Sequence, residues 1–96
     1  MSRCLQLVDY SIASLTGASQ VALAFCGWRS FLMIHNPGSA NAGINPTGGV
    51  AAVGSAGTIT LVPNGTMTFN IDGVPQNAIT VVGTAGQPLT VLASPA

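Results

Sequence analysis

Apolar and polar residues alternate with a period of two along most of this chain. In Thr58-Ile59-Thr60-Leu61, and again in Thr66-Met67-Thr68-Phe69-Asn70-Ile71, threonine or asparagine is interleaved with large apolar residues. That is the pattern of a pleated strand with one face in a core and the other turned outward. Between the two runs, Val62-Pro63-Asn64-Gly65 predicts a hairpin connection, because Asn-Gly supplies the positive φ angles that tight turns need. Ala78-Ile79-Thr80-Val81-Val82 and Pro88-Leu89-Thr90-Val91-Leu92 repeat the pattern around Gly83-Thr84-Ala85-Gly86-Gln87. Upstream, strand capacity lies in Leu5 to Tyr10, Gln20 to Cys26 and Ser30 to His35, and more weakly in Ala42 to Asn45. Leu5 to Ala13 also reads as a short helix, which Thr16-Gly17 would stop.

About eight short strands, punctuated by Gly, Pro and Asn, predict an all-β fold. The expected architecture is a single antiparallel β-sandwich, jelly-roll or immunoglobulin-like, because short connections cannot make parallel crossovers. Its expected core is Leu23, Phe25, Leu32, Ile34, Ile59, Leu61, Met67, Phe69, Ile79, Val81, Leu89 and Val91. Residues 1–18 form an N-terminal arm or first strand, and residues 19–96 the sandwich. Residues 36–57, rich in Gly, Ala, Ser, Asn and Pro, form a long loop that is functional or mobile. Ile44, Val50 and Val53 are its anchors, and it carries one short edge strand around Ala42 to Asn45.

Composition changes this picture in one respect. Only two basic and two acidic residues occur among 96, and charged residues make up 4% of the chain, where about 25% is usual. Arg3, Asp9, Arg29 and Asp72 are the four, and the formal net charge is zero. Soluble monomers ordinarily keep a mixed, charged surface and a net charge away from zero, so this chain reads as one packed against something else. Two separated arginines cannot supply the phosphate contacts that nucleic acid requires, nor hold an anionic membrane surface. No apolar run approaches the length of about 18 residues that a transmembrane helix needs. Arg3 and Ala22-Leu23-Ala24 give a weak secretory-signal pattern, interrupted by Gln6, Asp9 and Tyr10.

The inventory for catalysis is thin. His35 ends a strand before Asn36-Pro37 and reads as a turn-bonded histidine rather than a base. Asp72 precedes Gly73 and reads as a turn residue satisfying its own backbone. Asp9 has Arg3, Arg29 or a neighbouring subunit as possible partners. No enzyme activity, cofactor or metal site is expected. Cys4 and Cys26 lack a metal-ligand spacing, and both a bridge between them and two buried thiols remain open. Gly48-Gly49 and Gly54-Ser55-Ala56-Gly57 lack the lysine and the strand-to-helix context of a phosphate loop. Asn64-Gly65-Thr66 matches a glycosylation sequon but is better read as a turn. Trp28-Arg29 has two readings: a Trp capping one end of the core with Arg29 snorkelling beside it, or an intersubunit anchor.

Arg29-Ser30-Phe31-Leu32-Met33-Ile34-His35-Asn36-Pro37-Gly38-Ser39 resembles a recurrent segment of small tailed-phage virion proteins, in which an Arg, an apolar strand and an Asn-Pro turn precede a Gly/Asn-rich stretch. Ile59 to Phe69, Val74-Pro75-Gln76-Asn77-Ala78-Ile79 and Gly83-Thr84-Ala85-Gly86-Gln87-Pro88-Leu89-Thr90-Val91 continue the resemblance in order. It covers residues 19–93, and residues 1–18 have no counterpart. It departs from that pattern where Pro63-Asn64-Gly65 replaces Pro-Gly-Gly and Trp28-Arg29 replaces a more basic pair. The resemblance implies a β-sandwich that decorates or cements a capsid, or serves as a head- or tail-fibre module. The expectation is thus a capsid decoration protein on the virion surface, assembled as a homo-oligomer, a trimer, against the major capsid protein. The expected interface residues are Arg3, Leu5, Leu7, Asp9, Tyr10, Trp28 and Arg29. The alternative is a fibre-type or adhesin-like module that binds a glycan or host surface through the long loop.

Overall fold

A computed structural model describes residues 7–26, 29–70 and 73–94. It contains eight strands: β1 (Val8–Asp9), β2 (Gln20–Leu23), β3 (Leu32–His35), β4 (Ala42–Asn45), β5 (Ile59–Leu61), β6 (Thr66–Phe69), β7 (Ile79–Val82) and β8 (Thr90–Ala93). No helix occurs among the described residues, and none is long and apolar enough to cross a membrane. The strands form two four-stranded sheets, ordered β1-β8-β3-β6 and β2-β7-β4-β5, and every pairing is antiparallel.

Chain order and sheet order together define the winding. Every connection except β4–β5 leaves one sheet and enters the other. Consecutive strands therefore face each other across the core: β1 over β2, β3 over β4, β6 over β5 and β8 over β7. This is the winding of a jelly roll, which decides between the two sandwich types that the strand pattern allowed.

Two expected hairpins become bridges between sheets. The turn at Val62-Pro63-Asn64-Gly65 forms as its residues dictate: Gly65 N–H donates to Val62 O at 2.8 Å and Asn64 has φ 64°. Its flanking strands do not pair with each other, however; β5 pairs with β4 and β6 with β3. Residues 83–89 likewise carry the chain from β7 in one sheet to β8 in the other. Turn chemistry sets the reversal, while pairing partners elsewhere in the chain set its plane.

The core lies between the sheets. Leu32, Ile34 and Val91 from one face Ile44, Ile79 and Val81 from the other, all with 0% exposure. Leu23, Leu61 and Leu89 complete the buried part of the expected set, and Met67 and Phe69 are partly buried against it. Phe25 and Ile59 depart from expectation, at 71% and 43% exposed. β2 ends at Leu23 after a register shift between Val21 and Leu23, so alternation does not carry on to Phe25. Ile59 pairs with Ile44 but sits at the open end of an edge strand. Leu15, Ala42, Ile44 and Ala51 join the core instead.

β4 is not an edge strand. It lies between β7 and β5, and all four of its residues are buried. The cause is the loop 46–58, which folds back over the outer face of its own sheet. Asn45 Nδ2 donates to Val50 O at 3.3 Å, Thr80 Oγ1 donates to Gly49 O, and Ala51 N–H donates to Ser19 Oγ at 2.9 Å. Gly43 makes this approach possible: a Cβ there would stand 2.8 Å from Thr58 Cγ2 and 3.0 Å from Val82 Cγ1. The long loop is thus a third layer on the sandwich.

The described part of the first 18 residues belongs to the sandwich. β1 pairs with β8, and Ile12 bridges Leu89. Leu15, 2% exposed, donates its N–H to Gln87 O at 2.8 Å. Arg3, Cys4 and Leu5 lie outside the described residues.

Candidate assembly surface

Two buried polar fasteners hold the ends of the jelly roll and fix what its surface presents. At one end Asn36, 0% exposed, uses all of its hydrogen-bonding capacity. Its Nδ2 donates to Ala40 O at 2.9 Å and Leu61 O at 2.8 Å. Its Oδ1 accepts from Gly38 N–H at 3.0 Å and Gln87 Nε2 at 2.8 Å. Its backbone pairs with the β5–β6 turn, through Asn36 N–H to Gly65 O and Asn64 N–H to Asn36 O. Gly38 is needed here because a Cβ would overlap the Gln87 side chain. One asparagine therefore ties together three connections that cross between the sheets.

At the opposite end Arg29 does the same for the β2–β3 and β6–β7 connections. Its guanidinium donates to Pro75 O at 2.5 Å, Asn77 O at 3.2 Å and Ala24 O at 2.8 Å. Gln76 completes the clamp, accepting from Arg29 N–H at 3.1 Å and donating to Arg29 O at 2.8 Å. Arg29 is only 4% exposed, so it is an internal staple and not the surface anchor or snorkelling side chain that its neighbourhood suggested. Trp28 and Asp72 lie outside the described residues. Sequence reasoning missed both fasteners. Their one visible trace is the pairing of two turn-rich motifs, Asn36-Pro37-Gly38 and Val74-Pro75-Gln76-Asn77, with strands far away in the chain.

With Arg29 internal, Asp9 is the one charged side chain on the surface among the described residues. Its carboxylate accepts from Ser11 N–H at 2.9 Å, and bonding to Ser11 holds its pKa below the usual carboxylate range. His35 stands on the outer face of its sheet, with Nδ1 2.7 Å from Thr66 Oγ1. That pair is a surface hydrogen bond. No group of three His, Cys, Asp or Glu suited to a metal ion occurs among the described residues.

Apolar exposure is concentrated along the lateral sides and the covering loop. The β1 and β2 side carries Leu7, Tyr10, Val21 and Phe25, at 44%, 37%, 59% and 71% exposed. Thus Leu7, Asp9 and Tyr10, expected at an interface, share one side of the sandwich with two apolar residues that the pattern had not placed there. The β5 and β6 side carries exposed Ile59 and Val62, and the loop carries Val50 and Val53. A shallow depression of about 670 Å³ lies between Gly17–Ser19, Ala40–Asn41, Val50–Val53 and Val82–Thr84. Its lining has no aromatic ring on which a sugar would stack and no ionisable side chain.

No protein-family model matches the chain, and no curated protein matches it. Among solved structures, it is similar to a chain of the Bacillus endospore appendages, described as a family of disulfide-linked pili. The TM-score is 0.53 at 14% identity, over 97% of this chain and 91% of that one. A de novo designed double-stranded β-helix gives a TM-score of 0.48 at 11% identity, over 93% of this chain and 96% of the design. At such identities the first likeness concerns the fold alone, and the second carries no weight.

Proposed function

We propose that this chain is a structural virion protein, a capsid decoration or cement subunit that acts by surface contact rather than catalysis. The observation that carries the reading is the stripping of charge from the exterior. Among the described residues, polar Thr, Asn and Ser faces remain while Asp9 alone is ionic. Burying ions at an interface costs desolvation energy that neutral hydrogen-bonding groups largely avoid. A surface of this kind joins copies of itself and a capsid protein across many contacts without mutual repulsion. The ordered resemblance to tailed-phage virion proteins over residues 19–93 supports the same reading, as does a jelly roll locked at both ends. On this account the protein sits on the capsid surface, needs no cofactor, and contacts its neighbours through the Leu7, Asp9 and Tyr10 side. A homo-oligomer on the major capsid protein is the expected arrangement.

A second reading, a fibre-type or adhesin-like module, draws support from the fold likeness to pilus-forming appendages. Mass spectrometry and electron cryomicroscopy of purified particles from the encoding phage distinguish the two. Copies at a repeating position on the head shell support decoration. Copies confined to fibres, together with binding on a glycan array, favour the module, and absence from all particles refutes the first reading.

A further inference from the structure

Sheet edges are aggregation templates, and natural proteins guard them with charges, prolines, bulges or very short strands. Three of the four edges of this jelly roll carry such a guard. β1 has two residues, and the Asp9 carboxylate occupies the outward Ser11 N–H. β2 is broken by the register shift between Val21 and Leu23. β5 has three residues and runs into Val62-Pro63. β6 has none of these: Thr66-Met67-Thr68-Phe69 is four residues of regular strand without charge, proline or bulge.

The register shows what this edge offers. Asn36 N–H donates to Gly65 O, which turns the backbone of Asn36 toward β6. On the other flank Ser94 N–H donates to Phe31 O, which turns Met33 and His35 toward β8 and leaves Leu32 and Ile34 turned toward β6. Pair types alternate along an antiparallel ladder. Met67 and Phe69 therefore direct their backbone groups toward Ile34 and Leu32, while Thr66 and Thr68 direct theirs outward. No backbone hydrogen bond from outside the sheet reaches Thr66 or Thr68 among the described residues. Met67 and Phe69 project to the core side at this open margin and remain only partly buried.

We propose that β6 is a self-pairing edge whose occupant is β6 of a second copy, in antiparallel register centred on Met67. Thr66 then exchanges both backbone hydrogen bonds with Thr68 of the other copy, and Thr68 with Thr66. Met67 meets its own counterpart in the non-hydrogen-bonded position between them. The two sheets become one continuous sheet of twice the width, and the half-covered Met67 and Phe69 gain cover. Threonines opposite each other are a favourable cross-strand pair. The charges match as well: neither β6 nor β3 beside it carries Asp, Glu, Lys or Arg, so like strands meet without repulsion. The choice of partner follows from the guards, because the one unguarded edge among the described residues is complementary to itself by a two-fold axis.

This inference rests on the reading of the chain as an assembly subunit but not on its attachment to a capsid. Sedimentation velocity of the full chain at micromolar concentration tests it with a lysine on either of two edges. Thr68→Lys should weaken dimerisation by about tenfold or more through a like-charge clash across the axis, with an unchanged circular dichroism spectrum. Thr60→Lys, on β5, should leave dimerisation within about twofold. If Thr68→Lys lowers folding stability, single-cysteine cross-linking decides. In a Cys4→Ser, Cys26→Ser background, Met67→Cys should form a disulfide dimer on mild oxidation and Thr60→Cys should not. A wild-type monomer, equal effects of the two lysines, or no Met67→Cys cross-link overturns the proposal. A β6 dimer that is absent from particles would instead refute the virion reading and leave this one standing.

Discussion

Gln87 Nε2 donates to Asn36 Oδ1 across 2.8 Å inside the protein, joining the β3–β4 and β7–β8 connections at one end of the jelly roll. Asn36→Asp keeps the shape of the side chain but replaces an Nδ2 donor to Ala40 O and Leu61 O with a second acceptor. A buried polar group left facing acceptors costs its desolvation in full, so the variant should lose about 2 to 4 kcal/mol of stability. Chemical denaturation measures this. A loss equal to that of an exposed control such as Asn41→Asp would contradict the role assigned to Asn36.

Arg29 and Pro75 form the corresponding link at the other end, at 2.5 Å. Arg29→Met fills the volume but strands three carbonyls, and should destabilise the protein by about 3 kcal/mol. Arg29→Lys should recover less than half of that loss, since an ammonium cannot reach three carbonyls set in different directions as a planar guanidinium does. Equal stability of the lysine and arginine forms would show that charge alone matters there.

Gly43 determines whether the loop 46–58 lies flat. Gly43→Ala drives a methyl group toward Thr58 Cγ2 and Val82 Cγ1, and overpacking of this size costs about 1 to 3 kcal/mol. The expected signature is local: faster amide exchange at Ala51 and Ala52, with β3 and β8 unaffected. Combining it with Thr58→Ser, which removes the obstructing methyl, should restore most of the protection.

Asp9 supplies the one pH-dependent contribution that its hydrogen bonds define. Because folding lowers its pKa, the contribution is present in full above the ordinary carboxylate range. It is lost as pH falls through the lower folded value. Asp9→Asn should therefore lower stability slightly at neutral and alkaline pH, where the contribution is present, and flatten the acid limb of the stability profile below about pH 4.

The strands were legible in the sequence because period two survives wherever one face is buried, as in Thr66 to Phe69 and Ile79 to Val82. Their distribution between the sheets was not. Asn64-Gly65 makes the same turn whether the chain returns within a sheet or crosses to the other, and only the long-range pairings β5–β4 and β6–β3 decide. The burial of β4 was hidden for a related reason: Ala42-Gly43-Ile44-Asn45 looks weak until a loop rich in small residues is laid over it. Of the expected interface, Leu7, Asp9 and Tyr10 share one exposed side, whereas Arg29 was misplaced. A lone arginine among turn residues gives no sign that its partners are carbonyls near residue 76. Phe25 carried the opposite error, since a register shift in β2 ended the alternation just before it.

Among the described residues Asp9 is the one charged side chain on the exterior, and the proposed function reads that surface as one made for assembly. Sedimentation velocity of the purified protein at micromolar concentration, in low and in molar salt, addresses this most directly. Assembly through uncharged contacts predicts an oligomer whose association constant changes little with ionic strength, because screening acts only on charges. A stable monomer at every concentration, or an oligomer that dissociates as salt is raised, would contradict it.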